Sequence, residues 1–120
     1  MLDAYLPPDS DKRDKRPVVV HTHGGGFVSG DKRDDPQVKY AYELTMRGYV
    51  VVSINYRLTG DSWTWESEKM KFDAQEDLRA AIRYVRSVAN DYNLDSEKII
   101  ASGESAGALT SLFAAYAKEA

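Results

Sequence analysis

Strand patterns and helix patterns alternate along this 120-residue chain, and the alternation predicts an α/β fold: a mostly parallel sheet with helices on both faces. Three observations carry that reading. The run Val18-Val19-Val20 is continuous and β-branched rather than alternating, as in a parallel strand covered on both sides, and residues 49–55 repeat the pattern. Segments bounded by helix start and stop signals follow each strand and supply crossovers, which are right-handed in such layers. The last apolar run, Ile99-Ile100-Ala101, passes into helix formers through a turn flanked by Gly103 and Gly107. No internal repeat, low-complexity segment or second-domain boundary is visible, so residues 1–120 read as one domain.

Each element can be justified in turn. Asp3-Ala4-Tyr5-Leu6 reads as the end of a strand, and Pro7-Pro8-Asp9-Ser10 with the charged residues 11–16 as a solvated turn. Residues 18–22 then form a central strand. Asp31-Lys32-Arg33-Asp34-Asp35 reads as a solvated charged loop whose last residue caps a helix, with Pro36 as the first helical residue. Gly48 after Arg47 is a stop signal, which gives a helix over residues 36–47. After the strand at 49–55, residues 56–72 show no clear period and carry Trp63-Thr64-Trp65, so they read as a loop above the sheet. Asp73 is suited to capping the next helix, with Glu76 and Asp77 in its first turn. Leu78, Ala81, Ile82, Val85, Val88 and Tyr92 make its buried face. A strand over residues 98–102 follows, and Ala106, Leu109, Leu112, Phe113 and Tyr116 repeat the helical spacing after it.

Two motifs carry chemistry. Gly103-Glu104-Ser105-Ala106-Gly107 lies between a strand and a helix, where a sharp turn demands neighbours almost without side chains and leaves the Ser105 hydroxyl clear of the backbone at the helix N-terminus. His21-Thr22-His23-Gly24-Gly25-Gly26-Phe27 ends an earlier strand. Three successive glycines let backbone N–H groups turn toward a developing negative charge, which is how an oxyanion hole is built.

In this order, each at the C-terminal end of a strand, the two motifs resemble the α/β-hydrolase superfamily. They are most similar to its HGGG esterase and lipase branch, the hormone-sensitive-lipase-like esterases and type B carboxylesterases. Asn55-Tyr56-Arg57-Leu58, the helix from Asp73 and Asp95-Ser96-Glu97-Lys98-Ile99 support the likeness, which runs from about residue 3 to residue 117. Glu104 and Ala108 fit the carboxylesterase form of the serine motif. The resemblance implies that Ser105 attacks an ester carbonyl and that the N–H groups of Gly25, Gly26 and Ala106 hold the oxyanion. It also implies that His23, Gly24, Gly103 and Gly107 shape the two turns. The catalytic acid and base follow the serine in this superfamily. His21 and His23 both precede it, so the expectation is the N-terminal part of a hydrolase, a partial fold that runs to the helix after the serine. The resemblance implies a small-molecule ester as substrate and no cofactor. The alternative is a non-catalytic or ligand-binding relative lacking the triad histidine.

Other residues carry weaker readings. Phe27, Trp63 and Trp65 are candidate pocket walls. His21 and His23, two apart on a strand, could be imagined as a metal pair with Asp31 or Asp34, but no further ligand is evident and no metal is expected. Composition excludes more than it selects. With 42% hydrophobic residues, 29% charged residues and a net charge of −3, the chain has no basic surface for nucleic acid. No run approaches the roughly 18 apolar residues of a membrane span, and the first residues lack a signal-peptide pattern, leaving compartment open. Oligomeric state is not legible, and the absence of cysteine excludes disulfides within these residues.

Overall fold

A computed structural model describes residues 1–58 and 68–117. Trp63 and Trp65 lie outside the described residues. Four strands, β1 (Leu2–Tyr5), β2 (Arg16–Thr22), β3 (Val50–Ile54) and β4 (Leu94–Gly103), form one sheet in the order β1-β3-β2-β4. β2 runs parallel to both β3 and β4, and β1 pairs antiparallel with β3. Of three helices, α1 (Asp35–Thr45) and α2 (Glu68–Ser87) supply the crossovers, and α3 (Ala106–Tyr116) follows β4.

The continuous valine runs divide between the two faces because side chains alternate along a strand. Val18, Val20, Val50, Val52 and Ile54 join Leu78, Ala81 and Val85 of α2, and Ala89 just past it, in the main core. Val19 and Val51 face the other way, onto Ala41 of α1. Full burial of a valine or leucine side chain contributes about 1.5–3 kcal/mol, so both faces of β2 and β3 hold the fold together. Ile100 pairs with Val19 and shares its face, but it is 46% exposed on the edge strand.

Several elements differ from the sequence expectation, each for a physical reason. α1 begins at Asp35, with Asp34 rather than Asp35 at the N-cap position. The Asp34 carboxylate accepts from the Asp31 N–H at 2.9 Å and so closes the preceding turn instead of capping the helix. α2 begins at Glu68, so Asp73 lies inside the helix, and residues 68–72 are helical rather than loop. Asp73, Glu76 and Asp77 form ion pairs with Arg57 at 3.5, 3.2 and 3.0 Å, tying the end of β3 to α2. α2 ends at Ser87; the buried face continues to Ala89 just past it and leaves out Tyr92, which is exposed. The charged loop is not wholly solvated: Lys32 is only 2% exposed, and its ammonium pairs with Asp3 of β1 at 2.7 Å.

In α3 the apolar residues that repeat the helical spacing face outward. Its buried face is Ala106, Gly107, Thr110 and Ser111, while Leu109, Leu112, Phe113 and Tyr116 are 46%, 57%, 41% and 85% exposed. Close approach of the helix to the sheet decides which face turns inward. Thr110 donates to the Ala106 carbonyl at 2.8 Å and Ser111 to the Ser102 carbonyl at 3.0 Å, so the polar side chains on that face are satisfied.

Candidate active site

The junction of β4 and α3 holds Ser105 in a conformation that non-glycine residues rarely adopt, with φ 52° and ψ −117°. Such backbone costs on the order of 1–3 kcal/mol and persists only where its surroundings enforce it. Two glycines do so here. A Cβ on Gly107 would lie 1.9 Å from the Thr22 carbonyl oxygen, and one on Gly103 would lie 2.4 Å from Gly107 itself. The helix can therefore sit directly on the end of β2. Ser105 occupies the N-cap position without using its side chain as a cap, and it is exposed. Its hydroxyl stands at the positive end of α3, where a developing anion is favoured.

The glycine loop lies against this turn. A Cβ on Gly24 would meet the Glu104 carbonyl oxygen at 3.1 Å and the Ser105 Cβ at 3.2 Å, so the two motifs, eighty residues apart, are in contact. Gly25, Gly26 and Phe27 all have positive φ, at 124°, 64° and 67°, and this run turns the chain sharply. The Gly25 carbonyl accepts from the N–H groups of Val28 and Ser29, both at 3.1 Å, and closes the loop. Among the described residues nothing accepts from the N–H groups of Gly25, Gly26 or Ala106. Phe27 is buried with Tyr56, Ala74 and Ala106 and anchors the loop to that cluster.

The two histidines have separate partners. His23 is 1% exposed, donates from Nδ1 to the Gly24 carbonyl at 2.6 Å, and stacks on Tyr56 at 4.6 Å between ring centroids. Tyr56 in turn donates its hydroxyl to the His23 carbonyl at 2.9 Å. His23 is thus a strut of the loop. Burial pushes the Tyr56 phenol up to about 12, so it keeps the proton it donates. His21 lies on the other side, 2.9 Å from Ser102 Oγ through Nδ1 and 2.6 Å from Gln37 Oε1 through Nε2. Burial holds its imidazole below the ordinary histidine value, against the opposing pull of Gln37 and the Glu104 charge. Among the described residues no cluster of His, Asp or Glu is arranged as metal ligands.

Sequence reasoning placed Ser105, Gly24, Gly103 and Gly107 at one site. It missed the parts played by Gln37, Ser102 and Tyr56. Tyr56 was visible only as part of a family-like string, and nothing in the sequence marks a glutamine in the first turn of α1 as a neighbour of residue 104.

A serine on a strained strand-to-helix turn, packed against a glycine loop at the end of the adjacent parallel strand, defines the α/β-hydrolase class. Within it the chain belongs to the BD-FAE family, whose pattern it matches over residues 2–120. It is 32% identical to a secreted lipase of Arthroderma benhamiae, over 88% of this chain and 23% of that protein. It is 31% identical to a probable carboxylic ester hydrolase, LipM, of Mycobacterium tuberculosis, over 95% of this chain and 25% of that protein. The propionate-bound structure of esterase Est2 from Thermogutta terrifontis superposes with a TM-score of 0.69 at 33% identity, covering 91% of this chain and 38% of the esterase. These three are a lipase and two ester hydrolases by name, and the chain spans about a quarter of the length of the two curated ones. No described helix is long and apolar enough to cross a membrane.

Proposed function

We propose that these residues supply the nucleophile and the oxyanion hole of a serine carboxylic ester hydrolase. The observation that carries the reading is the backbone of Ser105, at φ 52° and ψ −117°, exposed at a helix N-terminus with Gly24 packed on it. A strained, exposed serine that does not cap its helix has no evident structural task. In the proposed reaction Ser105 Oγ adds to the ester carbonyl while its proton passes to a histidine supplied by sequence outside these residues, with an acidic residue orienting the ring. The carbonyl oxygen becomes an oxyanion facing the N–H groups of Gly25, Gly26 and Ala106, each such donor being worth about 3–4 kcal/mol in acyl transfer. Collapse of the adduct expels the alcohol, which takes the proton from the histidine. Water then cleaves the acyl-enzyme by the same steps and releases the carboxylic acid.

Neither histidine of the chain fits the base. His23 has its Nδ1 proton committed to Gly24 and is buried on Tyr56, and His21 is buried between Ser102 and Gln37. Full-length protein is therefore expected to hydrolyse p-nitrophenyl esters and to label with a fluorophosphonate. Ser105→Ala should abolish both, and the 120-residue chain alone should fall on the order of 10⁶ below the full-length protein in turnover. Labelling or turnover that survives Ser105→Ala removes this serine from the mechanism. Brisk turnover by the short chain would show that a base has been overlooked.

A further inference from the structure

A directional chain of four hydrogen bonds joins five residues around Gly24 and Ser105. Its polarity follows from the groups themselves. Glu104 Oε1 only accepts, so Gln37 presents its amide nitrogen to it, at 3.0 Å. That leaves the Gln37 carbonyl oxygen to face His21, whose Nε2 must donate, at 2.6 Å. His21 Nδ1 is then the acceptor for the Ser102 hydroxyl at 2.9 Å. At the far end, Glu104 Oε1 also takes the Gly24 N–H, at 3.3 Å. The chain begins in β4, crosses β2 and α1, returns to the turn before Ser105 and closes on the first glycine of the loop.

We propose that Gln37, oriented by His21, is a positioning residue: it locks the Glu104 carboxylate in the rotamer that pins the glycine loop against the nucleophile turn. Glu104 is exposed, so without a second donor its side chain has no reason to hold one rotamer, whereas Gln37 is buried. A buried amide is costly unless both its ends are bonded, and the two bonds of Gln37 are those to His21 and Glu104. Release of Glu104 would free the Gly24 N–H and with it the oxyanion donors that follow. A displacement of about 1 Å in such a site costs on the order of 10²-fold in rate. The role rests on the ester-hydrolase reading for its effect on turnover, but not for its effect on the loop.

The test uses full-length protein with Gln37→Glu, Glu104→Gln and the double exchange. It reads Gly24 amide hydrogen exchange by NMR, together with kcat and KM for a p-nitrophenyl ester and the melting temperature. Gln37→Glu sets two carboxylates face to face and should raise Gly24 exchange by about tenfold. It should also lower kcat by roughly 10- to 100-fold, with KM within about twofold. Glu104→Gln keeps an oxygen able to accept both bonds, and its effect should stay within about threefold. In the double variant the amide at 104 donates to the carboxylate at 37, which also accepts from His21, and both readouts should return to within about threefold of the parent. Unchanged Gly24 exchange in a folded Gln37→Glu protein overturns the proposal, as does a double variant no better than that single one. If exchange follows the expected pattern while even the parent neither turns over esters nor labels at Ser105, the positioning role stands and the ester-hydrolase reading fails.

Discussion

Gly107 and Gly26 are glycines for different reasons, and the difference is measurable. At Gly107 the obstacle is another piece of backbone: a Cβ would stand 1.9 Å from the Thr22 carbonyl oxygen, and neither the strand nor the helix can yield without opening the turn that carries Ser105. At Gly26 nothing lies within 4 Å of the added carbon, and only the positive φ of 64° opposes it. Gly26→Ala should therefore cost about 1–2 kcal/mol, the penalty for an L-residue in that region. Gly107→Ala should cost about 3 kcal/mol or more, in the range of severe overpacking. Urea denaturation of both variants checks the order, and equal losses would mean that contact does not decide the turn. Both glycines were legible from the sequence as motif letters, because a strained turn tolerates few residues. Gln37 was not, because its neighbours, His21 and Glu104, are brought to it only by the fold.

At the scale of elements, β1 is held at its sheet edge by more than its ladder with β3. Asp3 accepts from Lys32 Nζ at 2.7 Å and from Arg33 Nε at 2.9 Å, which fastens the strand to the loop that feeds α1. The Lys32 side chain is almost wholly buried, so loss of its partner leaves a desolvated charge; Arg33 is exposed and its pair is screened by solvent. Asp3→Asn should destabilise the protein by about 1–3 kcal/mol. The hydrogen bond from Arg33, then that from Lys32, holds the Asp3 carboxyl below its ordinary 3.8. A carboxyl depressed on folding stabilises fully above its unfolded value and loses that contribution as pH falls through the lower folded one. Melting temperature followed downward from pH 5 should accordingly fall more steeply in the parent than in Asp3→Asn, and parallel curves would remove the ion pair from the account. The sequence made Asp31 to Asp35 a solvated run because charge alone carries no sign that Lys32 is buried against a partner 29 residues earlier. The valine runs, by contrast, announced β2 and β3 plainly, since only a strand covered on both faces uses β-branched residues without alternation. The start of α2 was misplaced for a simpler reason: Asp73 looks like a cap, but its carboxylate serves Arg57 instead.

At the scale of the whole molecule, an apolar flank is left uncovered among the described residues. β4 has β2 on one side and, among the described residues, no strand on the other, and Ile100 points out beside it. Leu109, Leu112, Phe113 and Tyr116, which repeat the helical spacing in the sequence, line the outer face of α3. The spacing marks the helix but carries no direction: small residues at Ala106 and Gly107 take the inward face by allowing contact with the sheet. A ten-residue edge strand flanked by an exposed apolar helix face offers both unpaired backbone groups and a surface to bury, the combination that drives chains to pair edge to edge. The 120-residue chain expressed alone is therefore expected to self-associate at micromolar concentration in sedimentation velocity. Leu112→Lys with Tyr116→Lys, both on the exposed face and away from the Ser105 turn, should shift it toward monomer without lowering its melting temperature. The chain spans 38% of the esterase on which it superposes, so the remaining sequence of a full-length protein is the expected cover for this flank. The full-length protein should then lose the tendency to associate, and the same two lysines, now placed in a buried interface, should destabilise it. A short chain that sediments as a sharply melting monomer would show instead that the flank is tolerated in water and that nothing need dock there.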